Sequence, residues 1–70
     1  MIKFKAKQVL EYEHSINYVL IAESHDSARK LVKNDSKENV FVDLDIIKLN
    51  IKGTKKEQIL KKYISDEYQG

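Results

Sequence analysis

The stretch INYVLIA, which begins at Ile16, constrains the fold more than any other part of the chain because its residues are apolar almost throughout. Read as a β-strand, it has one face with Ile16, Tyr18 and Leu20 and another with Val19 and Ile21. A strand without a polar face is usually covered on both sides. We therefore expect a further element of the chain to sit on the second face of this strand.

The residues before this stretch also have strand periodicity, because apolar and polar side chains alternate. Gln8 interrupts the apolar face once. The intervening segment lacks the Asn-Gly signature of a tight hairpin, so we expect a turn of about three residues, from Glu13 to Ser15. The apolar positions of this first strand are Ile2, Phe4, Ala6, Leu10 and Tyr12.

A helix and a third strand follow. Ser24 is a strong candidate for the N-cap, and Asp26 lies in the first turn, where a negative charge favours the helix dipole. Ala28, Leu31 and Val32 form the buried stripe of a helix of about three turns, which the polar loop NDSKEN stops. The third strand, ENVFVDLDIIKLNIKG, changes phase, so it either contains a β-bulge near Ile46–Ile47 that keeps its apolar residues on the core, or is apolar on both faces.

The last segment, GTKKEQILKKYISDEY, predicts a second helix. Thr54 followed three residues later by Glu57 matches a capping box. A narrow apolar stripe runs along the helix at helical spacing, formed by Ile59, Leu60, Tyr63 and Ile64. We expect this helix over residues 54–67, either covering the second face of the sheet or binding a second chain.

The sequence thus predicts one α+β domain over residues 1–70, with a core over residues 2–52. Its order is β-β-α-β followed by the C-terminal helix, which gives a three-stranded, mainly antiparallel sheet with one helix packed on it. A domain this small buries only about 60% of its unfolded surface, so its stability is marginal. Because Cys is absent, disulfides and Cys-ligated metals are excluded as its support.

Charge is segregated along the chain, although the formal net charge is only +2. Both ends of the folding unit are basic and the middle is acidic, and such a distribution can steer a partner. The best candidates for contact with an anion or a charged partner are Lys3, Lys5 and Lys7 in the first strand and Lys52, Lys55 and Lys56 near Gly53. The three readings left open are a solvated lysine-rich face, phosphate contact and contact with an acidic protein. If the first and third strands are neighbours, Asp43 and Asp45 neutralise the first lysine group.

Catalytic chemistry is not expected. His14 and His25 are the only histidines, and they have no recognised metal-ligand spacing with Glu13 or Asp26. No phosphate-binding loop, dinucleotide fingerprint or nucleophile elbow occurs. We therefore predict a non-enzymatic protein with no catalytic residue, metal or cofactor. An apolar contact surface for a partner is expected at Val19, Ile21, Phe41 and Tyr63.

The pattern of a strand, then A-E-S-x-x-x-A-x-x-L-V, then a loop and a strand, resembles small proteins of phages and mobile elements, including DpnD/PcfM-like domains and some anti-CRISPR proteins. It is carried by Ala22, Glu23, Ser24, Ala28, Leu31 and Val32. The resemblance covers about two-thirds of the chain, excludes the C-terminal helix and implies a small binding protein that acts by occlusion.

We therefore expect an inhibitor, encoded by a phage or mobile element, that docks on a host protein or ribonucleoprotein complex. The alternatives are an accessory protein that binds nucleic acid without sequence specificity through its lysines, and a structural homodimer. No apolar run approaches the length of a membrane span or a signal peptide, so a cytoplasmic location, in the host if phage-encoded, is the expectation.

Overall fold

The computed structural model describes residues 1–9, 14–37, 42–53 and 56–66. The described residues form an α+β fold with four strands and one helix, in the order β-β-α-β-β. The elements are β1 (Ile2–Val9), β2 (His14–Ala22), α1 (His25–Ser36), β3 (Val42–Lys48) and β4 (Gln58–Asp66). The α+β class and the first four elements agree with the sequence prediction, although β2 begins within the turn expected at residues 13–15.

The predicted C-terminal helix over residues 54–67 is wrong, and with it the three-stranded sheet. The segment instead forms β4, which pairs antiparallel with β2 over most of its length. The predicted capping box fails as well: the Glu57 carboxylate accepts the backbone N–H of Glu23, just before the N-cap of α1, while Thr54 lies outside the described residues. The physical reason is that, without β4, the backbone N–H and C=O groups along one edge of β2 would be unpaired. A neighbouring strand forms hydrogen bonds with these groups, whereas a helix cannot.

The strands are arranged in the order β3-β1-β2-β4, and all neighbours are antiparallel. Helix α1 connects β2 to β3, which run in the same direction on either side of β1. The two inner strands are therefore β1 and β2, and the two edges are β3 and β4. The element expected on the second face of β2 is not found among the described residues, where α1 packs on one face of the sheet only.

Helix α1 forms as predicted from its cap and its apolar stripe. The Ser24 hydroxyl accepts a hydrogen bond from the backbone N–H of Ser27 at 3.2 Å, and Ala28 and Val32 are fully buried. The helix runs through the start of the predicted loop to Ser36, where Lys37 adopts the left-handed conformation and donates its backbone N–H to the Lys33 carbonyl.

The hydrophobic core lies between α1 and one face of the sheet. It gathers residues of one parity from β1, β2 and β3 with the buried stripe of the helix, as strand and helix periodicity require. Its members are Phe4, Ala6, Ile16, Tyr18, Leu20, Ala22, Ala28, Val32 and Val42, with Ile2, Leu31, Leu44 and Ile59 packed at the border.

The predicted β-bulge at Ile46–Ile47 is confirmed, because Phe4 pairs with Ile46 while Lys3 pairs with Lys48, which leaves Ile47 as the extra residue. Its expected consequence is wrong. Ile46, Ile47 and Leu49 are 45–57% exposed, so the bulge does not bring them onto the core. Helix α1 is too narrow to cover this end of an edge strand, since its buried stripe is only Ala28 and Val32.

Candidate partner-binding face

The sheet face opposite α1, called the open face below, carries most of the residues predicted to contact a partner. Alternation along each strand places one parity here and the core parity on the other side. No described helix or strand packs on this face. Its side chains include Lys3, Lys5 and Lys7 on β1, Val19 and Ile21 on β2, Asp43, Asp45 and Lys48 on β3, and Lys61 and Tyr63 on β4.

Two of the β1 lysines lie opposite acidic residues. Strands β1 and β3 are neighbours, and their register pairs Lys5 with Asp45 and Lys7 with Asp43. These four residues line a cavity of about 350 Å³. Cross-strand pairs of opposite charge stabilise a sheet. The first and third strands are therefore neighbours, which is the arrangement that the predicted neutralisation required. Lys5 and Lys7 each lie opposite an acidic residue of β3.

The end of the open face has the reverse pattern. Lys3 pairs with Lys48, so two lysines lie directly opposite each other on neighbouring strands. The chain after β3 stays at this end, since the backbone N–H of Ile51 donates to the Met1 carbonyl at 2.8 Å, and Lys52 and Lys56 are exposed there. Lys55 lies outside the described residues. We call Lys3, Lys48, Lys52 and Lys56 the basic end.

The residues predicted to form an apolar contact surface differ in how exposed they are. Tyr63 is 42% exposed on β4 and Val19 is half-buried on β2. Ile21 is only 2% exposed, because it lies between Lys3 and Gln58 in the register, whose long stems flank it. It therefore offers a partner almost no surface. Phe41 falls outside the described residues.

Strand β4 adds charge to the open face that the predicted helix concealed. Lys61 lies beside Tyr63, with its ammonium nitrogen 5.3 Å from the ring centroid, which is within range of a cation–π interaction. The alternation of Lys61 and Tyr63 at a spacing of two was the available signal for a strand. The capping-box pattern outweighed it.

A polar cluster that the sequence did not reveal ties α1 to β4 on the core side. Asp35 accepts hydrogen bonds from the Tyr18 hydroxyl at 3.2 Å and from the Lys62 ammonium at 2.7 Å. The Lys62 hydrogen bond holds the pKa of Asp35 below its ordinary value, and the same bond raises the pKa of Lys62. Burial raises the pKa of Tyr18.

A second polar contact ties the other end of α1 to the same strand. The Glu57 carboxylate, just before β4, accepts the backbone N–H of Glu23 at 2.8 Å. Glu23 directly precedes the N-cap, where a negative charge is favourable to the helix. Charged side chains from distant parts of the chain thus contact α1 near its C-terminal end and the residue before its N-cap.

Replacing Tyr18 with Phe is expected to lower the free energy of unfolding by about 0.5–1.5 kcal/mol, the net worth of one internal hydrogen bond. For a domain of this size each kcal/mol shifts the melting temperature by about 4–8 °C. Thermal unfolding followed by circular dichroism at neutral pH would measure the change. A loss above roughly 3 kcal/mol would mean that the hydroxyl does more than bond Asp35.

The pH dependence of this cluster follows from its pKa shifts. The pKa of Asp35 is lowered in the fold, so its stabilising effect is present above its ordinary value of 3.8 and is lost as pH falls through the folded value. The pKa values of Tyr18 and Lys62 are raised, so their contribution is lost as pH rises beyond 10.0 and 10.5. Urea unfolding from pH 2 to pH 7 should show the difference between wild type and Asp35→Asn shrinking in acid. A constant difference would contradict the assignment.

His14 and His25 are both exposed, and the His25 ring meets Phe4 edge to face at 5.1 Å. Among residues 1–9, 14–37, 42–53 and 56–66, no three His, Asp or Glu side chains gather as a metal site requires. Within the same ranges no helix has the length and apolar content to cross a membrane. Comparison with protein-family models, with curated proteins and with solved structures finds no match for this chain.

Proposed function

We propose that the protein is a non-catalytic docking module that binds an acidic segment of another protein through the basic end of its open face. The sequence resemblance still predicts a phage-encoded protein that inhibits a host complex. A protein that docks on such a complex would inhibit it by occlusion. The proposal itself rests on the charges of the sheet.

The observation that carries the proposal is the pairing of Lys3 with Lys48. Like charges directly opposite each other destabilise a sheet, whereas opposite charges stabilise it by about 0.2–1 kcal/mol. The next two register pairs, Lys5–Asp45 and Lys7–Asp43, have the stabilising arrangement. Strand β3 therefore accommodates acids opposite β1, and the lysine at position 48 is not explained by folding. An anionic partner would relieve the repulsion.

A protein partner fits the open face better than nucleic acid. No Arg lies on the described open face, although Arg is the residue best suited to bidentate base recognition. Tyr63 is its one exposed aromatic among the described residues, whereas single-strand binders present several stacking rings.

The test is the substitution Lys48→Glu, which turns the like-charge pair into an opposite-charge pair with Lys3. We expect the free energy of unfolding to rise by about 0.2–1 kcal/mol. We also expect affinity for a labelled acidic probe, poly-L-glutamate, to fall roughly tenfold, equivalent to about 1.4 kcal/mol. Urea unfolding and fluorescence anisotropy at about 0.1 M salt, where the Debye length is about 10 Å, would measure the two effects.

Lys30→Glu is the matched control, because Lys30 is exposed on α1 and the change in net charge is the same. It should leave affinity for poly-L-glutamate within about twofold, since screening limits charges beyond roughly 10 Å. Equal losses in the two variants would show that only net charge matters and would refute the site. Tighter binding of an oligo-dT strand than of poly-L-glutamate would favour the nucleic-acid alternative.

A further inference from the structure

The outer edge of β4 is the least protected part of the sheet among the described residues. This strand is nine residues long, and its other edge is used by β2. It exposes Leu60 at 50%, Tyr63 at 42% and Ile64 at 69%. A long edge strand with apolar side chains is a template for pairing with another chain.

We propose that β4 pairs antiparallel with β4 of a second copy of this chain, across a two-fold axis at Lys62. The axis is perpendicular to the sheet, so the two sheets join into one. Such an isologous contact closes on itself as a dimer and does not propagate. This inference concerns a surface separate from the basic end and stands without the proposed function.

The register follows from symmetry and from the chemistry of the strand. A two-fold axis perpendicular to the sheet keeps each residue on its own face, so a symmetric pairing must be centred on one residue. Centred on Lys61, the pairing sets the exposed Leu60 against the charged Lys62. Centred on Tyr63, it sets Lys62 against Ile64.

Of the pairings centred on Lys61, Lys62 and Tyr63, the one centred on Lys62 sets exposed apolar side chains against each other, and it also sets Lys62 against its own copy. Leu60 then faces the partner's Ile64, and Ile64 faces the partner's Leu60. Lys61 faces the partner's Tyr63, which extends the cation–π contact that these residues already make within one chain. Leu60 is the extra residue of a bulge, has no register partner on β2 and is 50% exposed.

Lysine side chains usually protect an edge strand from pairing, but those of β4 make contacts within the same chain. Lysines on an edge discourage pairing, but the Lys62 ammonium lies 2.7 Å from Asp35 and the Lys61 ammonium lies over Tyr63. At the two-fold axis the two Lys62 side chains would therefore meet as ion pairs with Asp35. By contrast, the β3 edge carries the exposed Asp43 and Asp45, which a symmetric pairing centred on Leu44 would set against each other.

The test is the mass of the full chain in solution, measured by light scattering from about 1 µM to about 1 mM. We expect wild type to approach twice the monomer mass as concentration rises, and Ile64→Glu to remain a monomer throughout. Ile64 is mostly exposed, so the variant should keep its fold, which circular dichroism would check. The matched control is Ile47→Glu on β3, which should dimerise like wild type.

A register-specific variant completes the test. The chain has no Cys, so Lys62→Cys introduces a single thiol at the proposed axis, within the Cα separation that a disulfide spans. Oxidation should give a disulfide-linked dimer faster than for Ile47→Cys. A wild-type monomer at every concentration would overturn the proposal. Dimerisation lost in Ile47→Glu but kept in Ile64→Glu would also overturn it, since the contact would then lie at β3.

Discussion

Replacing Phe4 with Ala is expected to lower the free energy of unfolding by about 3–5 kcal/mol. Phe4 is fully buried between Leu20 and Ile46 in the register, and its ring meets His25 at the start of α1. A chain of 70 residues has a total stability of only about 3.5–10.5 kcal/mol at roughly 0.05–0.15 kcal/mol per residue. The single substitution would therefore remove a large part of it.

Urea unfolding of the two proteins, followed by circular dichroism, would measure this loss. Val9→Ala is the control on the same strand, because Val9 is 50% exposed and should cost less than about 1 kcal/mol. If the two variants were equally stable, the ring of Phe4 would not be part of the core. A variant of Phe4 too unstable to show a folded baseline would agree with the expectation.

The elements up to β3 could be predicted because each has a local pattern that its neighbours do not contradict. Phe4 and Ala6 alternate with lysines, and the N-cap at Ser24 precedes a stripe of small and apolar residues. The bulge at Ile46–Ile47 was visible as a change of phase. Local patterns do not show how much of the sheet a helix covers. They could not reveal that the short buried stripe of α1 leaves Ile46 exposed.

The segment that forms β4 was misassigned because both readings fit it locally. Ile59, Leu60 and Ile64 match a helical stripe, whereas the spacing of Lys61 and Tyr63 matches a strand. The deciding fact is not local: β2 needs a neighbour on its second edge as well as cover on its faces. The apolar run of β2 did indicate a missing element, but we interpreted it as a helix on the sheet face.

Some charged contacts could likewise be predicted from the sequence, and others depend on the whole fold. The pairing of Lys5 and Lys7 with acids of the third strand could be foreseen, because it requires only that β1 and β3 be neighbours. Lys48 could have been placed on the open face from the predicted bulge, which shifts its parity. The contacts of Asp35 with Lys62 could not, since they join α1 to a segment expected to be a helix.

Ending the chain after Gly53 is expected to abolish cooperative folding. The shortened chain loses β4, and the backbone edge of β2 becomes exposed along almost its whole length. Leu20 and Ile16 lose their register partners, Ile59 and Ile64, beside the core. A strand edge that was central in the sheet, with apolar residues on it, also promotes aggregation. Urea unfolding and size-exclusion chromatography would test both effects.

A chain ending after Asp66 is the matched control, because it retains every described residue. It should unfold cooperatively, whereas the chain ending after Gly53 should not. The shorter chain also loses the hydrogen bond from the Glu23 backbone N–H to Glu57 and the ion pair between Lys62 and Asp35. These two contacts join α1 and the residue before its N-cap to the last segment of the chain, so their loss adds to the difference. A helix that merely decorated a three-stranded core could be removed with a modest loss of stability. Cooperative unfolding of the shorter chain with near-equal stability would therefore contradict β4 as a member of the sheet.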